Sequence, residues 1–237
     1  MLVHTRGMPE QIYADGTYLD KNPDWHAEDS PFKVKWIDRI LAKVDEPIVT
    51  IAEVGCGAGE VLLGLASARP AASFSGFEVS PQAYAICSKK STDKVKFYFE
   101  DVTKSDKFFD VLMAIDVFEH ISDYMGFLRD VRTRAKYKVF HIPLDLSVQG
   151  MLRGKSIMYA REVVGHLHYF DKDTALATLA DCGYEIVDWQ YTFGSEELPN
   201  RPLRARGLNI LRKALRMVGK DVSVRVFGGA SLMVLTR

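Results

Sequence analysis

The sequence predicts an α/β fold with a doubly wound, mostly parallel sheet. Residues 48–52 form an apolar, β-branched run that is too short for a helix and suits a buried parallel strand. Gly55, Gly57 and Gly59 then interrupt the chain, and residues 61–68 form a second apolar run with the length of a helix. Beyond this first unit, strand-like and helical stretches continue to alternate, which is the pattern of a parallel sheet.

Local signals set the order of the elements. Ser30 as an N-cap, with Pro31 at the first helical position, predicts that a helix begins there. Gly228 and Gly229 predict a bulge or bend in the last strand. Residues 1–29 are weakly periodic, and we expect loop and short helix. The predicted elements are, in order, helix 31–43, the strand before Gly55, helix 61–68, strand 72–80, helix 81–91, strands 94–100 and 109–115, helix 122–134, and strands 137–142, 185–191 and 224–235.

Length and composition favour one ordinary globular domain. The chain has 237 residues, of which 47% are apolar and 26% charged, with a formal net charge of zero. No overall field therefore attracts nucleic acid or membrane. Three scattered cysteines argue against a disulfide framework. No apolar run has the length of a signal peptide core or a membrane span, so we expect a cytoplasmic protein.

The glycines predict a nucleotide-type pocket at the carboxyl end of the first strand. They let the backbone turn sharply and bring its N–H groups close to a ligand, with a helix N-terminus behind them. Their spacing is G-x-G-x-G, whereas dinucleotide sites use G-x-G-x-x-G, and the Gly-Lys-Ser/Thr of a phosphate loop is missing. Glu53 and Glu60 flank the loop. Their charge would repel a pyrophosphate but suits a ligand with an ammonium or sulfonium group.

Residues 53–59 (Glu-Val-Gly-Cys-Gly-Ala-Gly) resemble motif I of the class I S-adenosylmethionine (SAM)-dependent methyltransferases. The resemblance extends through most of the chain. It implies a Rossmann-like sheet of seven strands, the last antiparallel, with SAM as the cofactor. Glu78 also lies 23 positions after Gly55, near the spacing of acids that bind a ribose. The cofactor-binding residues predicted on this basis are Glu53, Gly55, Cys56, Gly57, Gly59, Glu78, Val79, Asp101, Val102, Asp116, His26 and Lys33.

Several of these assignments have a plain structural alternative. Asp101, which the resemblance places at the adenine amino group, could instead cap the following turn. His26 and Lys33 belong to a segment that resembles a cover over the methionine end of SAM, but helix 31–43 could serve only for packing. Residues 1–45 are therefore expected to form an N-terminal lid or helical segment.

Three histidines are candidates for catalysis. The run that begins at His166 resembles the family's substrate-facing segment before the sixth strand, so His166 is the first candidate for a general base. His168 and His120 are further candidates, although packing roles are equally compatible with their sequence. A metal site built from His166, His168 and His141 lacks the spacing of known sites, so no metal is predicted.

The predicted substrate is a small molecule. Residues 116–121 lack the Asn/Asp-Pro-Pro-Tyr/Phe that the family's enzymes for base amines and glutamine amides usually carry. Residues 143–171 are expected to form an insertion that selects the substrate. Residues 201–220 carry seven Lys or Arg and no acid. We expect a basic helical segment there, lying on the sheet or on a partner in a homodimer, or forming a rim for an anionic substrate or membrane surface.

Two other functions stay open at this level. The chain could bind SAM without transferring its methyl group, or it could be an NAD-dependent oxidoreductase that uses Glu78 on a ribose. The glycine spacing and the acids around the loop disfavour the oxidoreductase. The leading expectation is O- or N-methylation of a small acceptor, such as a sugar or a secondary metabolite, without nucleic-acid binding.

Overall fold

Seven strands form one sheet in the computed structural model, which describes Tyr13, residues 16–22, Trp25, and residues 27–197, 212–213, 215–217 and 219–237. The strand order is β3-β2-β1-β4-β5-β7-β6. The strands are β1 (Thr50–Val54), β2 (Ser73–Glu78), β3 (Val95–Phe99), β4 (Phe109–Ile115), β5 (Ala135–Pro143), β6 (Ile186–Thr192) and β7 (Ser231–Thr236).

The predicted fold class is confirmed. Neighbouring strands from β1 to β5 pair in parallel, whereas β7 runs antiparallel to both β5 and β6. The helices are α1 (Thr17–Lys21), α2 (Ser30–Leu41), α3 (Glu60–Ala68), α4 (Pro81–Cys87), α5 (Tyr124–Arg132), α6 (Val148–Arg153), α7 (Lys155–Tyr159), α8 (Lys172–Asp181), α9 (Gly194–Glu197) and α10 (Lys220–Phe227), with a π-helical turn at Ala160–Val164.

Helices cover both faces of the sheet, and the strands supply apolar side chains to each face in turn. Within β7, Met233 and Leu235 pack with α2 and α3, while Leu232 and Val234 pack with α5 and α8. Alternation along the strand places successive side chains on opposite faces. A strand buried on both sides is therefore apolar over most of its length, as β4 is at residues 111–115 and β7 at residues 232–235.

The last predicted strand is wrong over its first half. Residues 220–227 form helix α10, which ends where the N–H of Gly228 donates to the carbonyl of Val224. Val224, one of the β-branched residues that favour a strand in the sequence, lies in this helix and packs in the core beside α8. Gly228 and Gly229 adopt positive φ angles of 59° and 77°, so the predicted bend is a turn between α10 and β7.

Two further details differ from the sequence prediction. Ser30 is the first residue of α2, and Asp29 occupies the N-cap position. The segment at residues 144–170, in which no periodicity was found, contains α6, α7 and the π-helical turn. Each of these turns is short, so none produces a long apolar repeat. Most of the basic segment 201–220 lies outside the described residues. No helix in the described ranges combines the length and apolar composition needed to cross a membrane.

Candidate active site

A cavity of about 920 Å³ opens at the carboxyl ends of β1, β2, β4 and β5. This edge of a doubly wound sheet is where ligands bind, because the loops after neighbouring strands converge there. The glycine loop forms one wall, and the insertion after β5 contributes another. The predicted site residues that line the cavity are Lys33, Glu53, Gly55, Cys56, Gly57, Gly59, Glu78, Val79, Asp101, Val102, Asp116, His120 and His166.

The glycine loop has a shape that only glycine supports. Gly55, Gly57 and Gly59 have φ angles of 61°, 54° and 82°. A Cβ on Gly59 would lie 2.6 Å from the ring of Phe97. Behind the loop, Lys90 donates to the Ala58 carbonyl at 2.7 Å and to the Glu60 carboxylate at 2.6 Å. The loop is therefore held in place from the protein side, with its other side toward the cavity.

Glu78 ties the glycine loop to the end of β2. Its carboxylate accepts hydrogen bonds from the N–H groups of Gly57 at 2.8 Å, Val79 at 2.8 Å and Ser80 at 2.7 Å. Burial raises the pKa of Glu78 in spite of these bonds, which favour the ionised form. The acid predicted to bind a ribose thus also shapes the loop beside it.

Glu53 is a buried carboxyl group at the floor of the cavity. It is 3% exposed, and its Oε2 has no hydrogen-bond partner in the described part of the chain. Burial raises its pKa to about 8, although the nearby Lys33 ammonium opposes this shift. A cationic ligand would favour the ionised form, which fits the expectation from the sequence.

The predicted adenine end contains fewer specific contacts. Asp101 lines the cavity, and its Oδ1 accepts the N–H of Thr103 at 2.9 Å and its hydroxyl at 2.8 Å. Asp101 therefore caps the 3₁₀ turn Val102–Lys104, which is the role that the sequence offers as the alternative to adenine binding. Val79 is largely exposed toward the cavity, and Cys56 is buried. A hydrogen bond with Cys87, together with burial, raises the pKa of the Cys56 thiol.

Asp116 connects Lys33 to His141 beneath the cavity. Lys33 Nζ lies 2.8 Å from Oδ2 of Asp116, and His141 Nδ1 lies 2.6 Å from Oδ1. Burial would raise the pKa of Asp116, but attraction to His141 and Lys33 holds it well below its usual range. Asp116 adopts a positive φ of 55°, which aspartate tolerates better than most residues. The sequence linked Lys33 and Asp116 separately to SAM, and the structure brings them together.

His166 and His120 also line the cavity. His166 is 7% exposed, and its Nδ1 is 2.6 Å from Oδ2 of Asp145. Nδ1 of His120 lies 2.8 Å from the hydroxyl of Tyr13 and 3.1 Å from the carbonyl of Gly165. Contacts at Nδ1 therefore fix the orientation of both imidazole rings.

His168 is placed differently from the other two candidate histidines. Its Nε2 bonds to the carbonyl of Ile121 at 2.9 Å, and its ring packs on Tyr124 with a centroid distance of 4.3 Å. His168 is not among the residues that line the cavity. The structure therefore gives His168 a role in holding the insertion against the turn after β4.

Aromatic residues of the N-terminal segment border the cavity. The rings of Tyr13 and Tyr18 are 4.8 Å apart, and those of Tyr18 and Trp25 are 4.9 Å apart. Two hydrogen bonds join this segment to the π-helical turn of the insertion: Lys21 donates to the Glu162 carbonyl and Asn22 to the Val163 carbonyl. The two segments thus contact each other beside the cavity. His26, predicted to act in this cover, lies outside the described residues.

Asp145, Tyr13 and Tyr18 are cavity residues that sequence reasoning missed. The available signal for Asp145 was an acid directly after a strand, the same signal that identified Glu78 and Asp116. The sequence gives Asp145 no predicted role because the segment after β5 shows no helical periodicity. Its partner His166 lies 21 positions away, so only the folded insertion shows the pair.

The sequence of residues 25–188 matches the protein family described as methyltransferase domain. The chain belongs to this family. The match covers well over half of the chain, and it confirms the class I methyltransferase resemblance and SAM as the cofactor. The oxidoreductase alternative finds no support in this match.

Other known proteins share parts of this chain's sequence or its fold. It is 32% identical over 95 residues to a tRNA (guanine-N(7)-)-methyltransferase of Mycoplasmopsis agalactiae, which covers 38% of this chain and 45% of the relative. The chain spans about half the length of the curated relatives that it matches.

Two solved structures show the same fold at low identity. The magnesium protoporphyrin IX methyltransferase from Synechocystis PCC 6803, crystallised with SAM, is 13% identical with a TM-score of 0.61, over 99% of this chain and 100% of that one. A cyclopropane synthase from Mycobacterium tuberculosis is 15% identical with a TM-score of 0.60, over 86% and 84%.

Proposed function

We propose that this methyltransferase transfers the methyl group of SAM to a hydroxyl oxygen of a small molecule. The observation that carries the proposal is that one cavity is lined both by the glycine loop and by the His166–Asp145 pair, of which His166 is buried. The loop is where the family's cofactor is expected, and the imidazole can accept a proton near neutral pH. Both requirements of O-methylation are therefore met within one space.

The reaction needs a proton acceptor because a neutral hydroxyl is a weak nucleophile. The acceptor oxygen attacks the methyl carbon in line with the sulfonium, the new O–C bond forms, and the C–S bond breaks with its electron pair remaining on sulfur. Nε2 of His166 takes the hydroxyl proton. Asp145 accepts the Nδ1–H of the ring, fixes the tautomer and stabilises the imidazolium. Positioning supplies most of the rate, and a general base adds about 10²–10⁴-fold.

The size and cover of the cavity support a compact acceptor. Its volume is near the upper end of the range for small-ligand sites, about 300–1,000 Å³, which leaves room for an acceptor beside the cofactor. Tyr13, Tyr18 and Trp25 border it, and the insertion closes another side. An anionic acceptor remains a proposal that depends on the basic segment 201–220.

The similarity to tRNA (guanine-N(7)-)-methyltransferases supports RNA as a second class of acceptor. Binding of RNA requires a surface of basic residues that contact phosphates, and this chain has a formal net charge of zero. The aromatic residues beside the cavity would also have to move for a base within a folded RNA to enter. We therefore place the small-molecule acceptor first.

The test combines calorimetry with transfer of label. The full chain is titrated with SAM and with NAD, and methyl-labelled SAM is then supplied with fractionated cell extract or with unmodified tRNA. We expect SAM binding and label in a small-molecule fraction. Label in tRNA would overturn the acceptor class. SAM binding without transfer to either acceptor would indicate a cofactor-binding protein, and NAD binding alone would overturn the whole assignment.

Variants of the histidine pair test the roles of its members. We expect His166→Gln to lower kcat about 100-fold or more while the Kd for SAM stays within about twofold. Asp145→Asn should lower kcat less, because the ring of His166 remains while the carboxylate that stabilises the imidazolium is lost. Asp173→Asn, at an exposed carboxylate paired with Arg225, is the matched control and should resemble the wild type. Equal activity of all three variants would show that His166 is not the general base.

A further inference from the structure

Three side chains of metal-binding type meet beside the cavity. Glu119, His120 and His166 each offer one ligand atom, and these atoms lie within 4.8 Å of one another. The rings of His120 and His166 are 4.9 Å apart between centroids, and Nε2 of His120 is 3.8 Å from Oε1 of Glu119. Both histidines line the cavity, so a ligand in it could reach the cluster.

Hydrogen bonds at the far side of each ring select the tautomer that a metal requires. Nδ1 of His120 lies 3.1 Å from the carbonyl of Gly165, which can only accept, and 2.8 Å from the hydroxyl of Tyr13, which can accept as well. A proton on Nδ1 satisfies both contacts and leaves the lone pair on Nε2. The carboxylate of Asp145 has the same effect on His166. A carboxylate or carbonyl that accepts from the second ring nitrogen is the usual support of a metal-binding histidine. The supporting partners of both imidazoles are therefore in place.

Glu119 provides an independent observation. Its side chain is fully buried, and neither carboxylate oxygen has a hydrogen-bond partner in the described ranges. Burial of an unpartnered carboxylate is costly, so such groups are found paired or bound to a metal. The backbone carbonyl of Glu119 accepts from the N–H groups of Leu167 and His168, which fixes this turn against the insertion. The carboxylate is therefore held beside the two imidazoles by the fold.

We propose that Glu119, His120 and His166 bind one divalent transition-metal ion, and that zinc suits them best. Two histidines, one glutamate and an open fourth position form a known pattern of catalytic zinc sites, whereas magnesium and calcium prefer oxygen ligands. In a tetrahedral site, atoms bound to one ion at about 2.1 Å lie about 3.4 Å apart, so ligand atoms that are up to 4.8 Å apart must approach by about 1.4 Å.

The sequence could not identify this set. It brought together His166, His168 and His141, but the structure turns His168 to the Ile121 carbonyl and His141 to Asp116. The glutamate and its neighbour come from the turn after β4, while His166 comes from the insertion. Only the docking of the insertion on that turn completes the cluster.

The inference rests on the proposed function and changes one step of it, because an ion bound at Nε2 of His166 would occupy the lone pair that otherwise takes the hydroxyl proton, and the ion would activate the acceptor instead. The acceptor oxygen would occupy the open position, its O–H bond would break with release of the proton to solvent water, and the metal-bound alkoxide would attack the methyl carbon. A zinc ion lowers the pKa of bound water to about 7 and would act similarly on an alcohol. Binding of the ion does not itself depend on methyl transfer, so the two proposals can fail separately.

Zinc titration of the untagged full chain, stripped with a chelator, tests the site. We expect one zinc ion per wild-type chain and a raised melting temperature, since a ligand that binds only the native state stabilises it. Glu119→Gln should weaken zinc binding at least about 100-fold, and Asp145→Asn about 10-fold. Glu185→Gln, at an exposed glutamate paired with Arg237 outside the cavity, is the control and should bind zinc as the wild type does.

The outcome that overturns the inference is zinc binding that is absent, or equal in the wild type and Glu119→Gln. The inference would also be wrong if magnesium displaced zinc at concentrations similar to that of zinc. SAM binding shows whether each variant is folded, and His166→Gln replaces Glu119→Gln if the latter does not fold. Methyl transfer without zinc binding would reject only this site, whereas zinc binding without transfer would reject only the proposed reaction.

Discussion

At the scale of single residues, the acids of the cavity have different tasks because their surroundings differ. Glu78 accepts three backbone N–H groups, Asp116 is paired with a lysine and a histidine, and Glu53 has an oxygen without a partner in the described ranges. At the carboxyl edge of the sheet, Glu53 and Glu78 are buried and Asp116 is half-buried. Partners, more than exposure, decide which of them carries a charge at neutral pH.

Replacement of Glu78 should weaken the cofactor site directly. We expect Glu78→Ala to reduce SAM affinity by about 1–3 kcal/mol, because ribose hydrogen bonds and the support of the glycine loop are lost together. Calorimetric titration measures the change. Glu60→Ala, at a glutamate of the same loop that pairs with Lys90, is the control and should have a smaller effect. Unchanged affinity in Glu78→Ala would reject its assignment.

Glu53 should make stability dependent on pH. Its pKa is about 8 in the folded chain and near 4.5 in the unfolded one. The resulting stabilisation is fully present below about pH 4.5 and is lost as the pH rises toward 8, at about 1.4 kcal/mol per pH unit. We therefore expect Glu53→Gln to flatten the fall in unfolding free energy between pH 5 and 8. Denaturant titrations should show no such change in Glu46→Gln, at an exposed glutamate.

At the scale of elements, the insertion after β5 is the part that differs most from its prediction. The strand at residues 109–115 is predicted with its observed bounds because six of its seven residues are apolar, as is typical of a strand buried on both faces. The turns α6 and α7 span six and five residues, too few for a helical repeat to stand out. Val224 is β-branched, which favours a strand in the sequence, but in the structure it belongs to α10 and packs against α8. The predicted cofactor residues could be found because they follow strand ends, as Asp145 also does. The pairing of Asp145 with His166 depends on the folded insertion and could not be predicted.

The turn between α10 and β7 should be sensitive to a single methyl group. Gly228 has φ 59° and ψ −154°, a region nearly restricted to glycine, and a Cβ there would lie 2.8 Å from Oγ of Ser147. Ser147 caps α6 by accepting the N–H of Gly150. We expect Gly228→Ala to destabilise the fold by about 2 kcal/mol or more in denaturant titrations.

Gly219 provides the matched control for that substitution. It has an extended φ of −172°, and the nearest atom to an added Cβ is 3.6 Å away on Val222. Gly219→Ala should therefore change the unfolding free energy little. Similar losses in the two variants would mean that the turn has no special role in anchoring the insertion.

At the scale of the whole molecule, β7 joins the two parts of the sheet. It lies between β5 and β6 and contributes buried side chains to both faces. We expect Met233→Asp to abolish the native fold, since a charge at a position of 0% exposure costs more than about 4 kcal/mol. Circular dichroism and SAM binding measure this. Met217→Asp, at a methionine that is 85% exposed, should fold and bind SAM normally.

The position of β7 has a consequence for the synthesis of the chain. Every other strand leaves the ribosome before β7, so until then β5 presents an unpaired edge and β6 has no neighbour in the sheet. Such an edge can pair with another nascent chain, or be held by a chaperone, before the correct strand arrives. Slowing translation upstream of residue 231 should therefore increase aggregation, and additional chaperone during expression should reduce it.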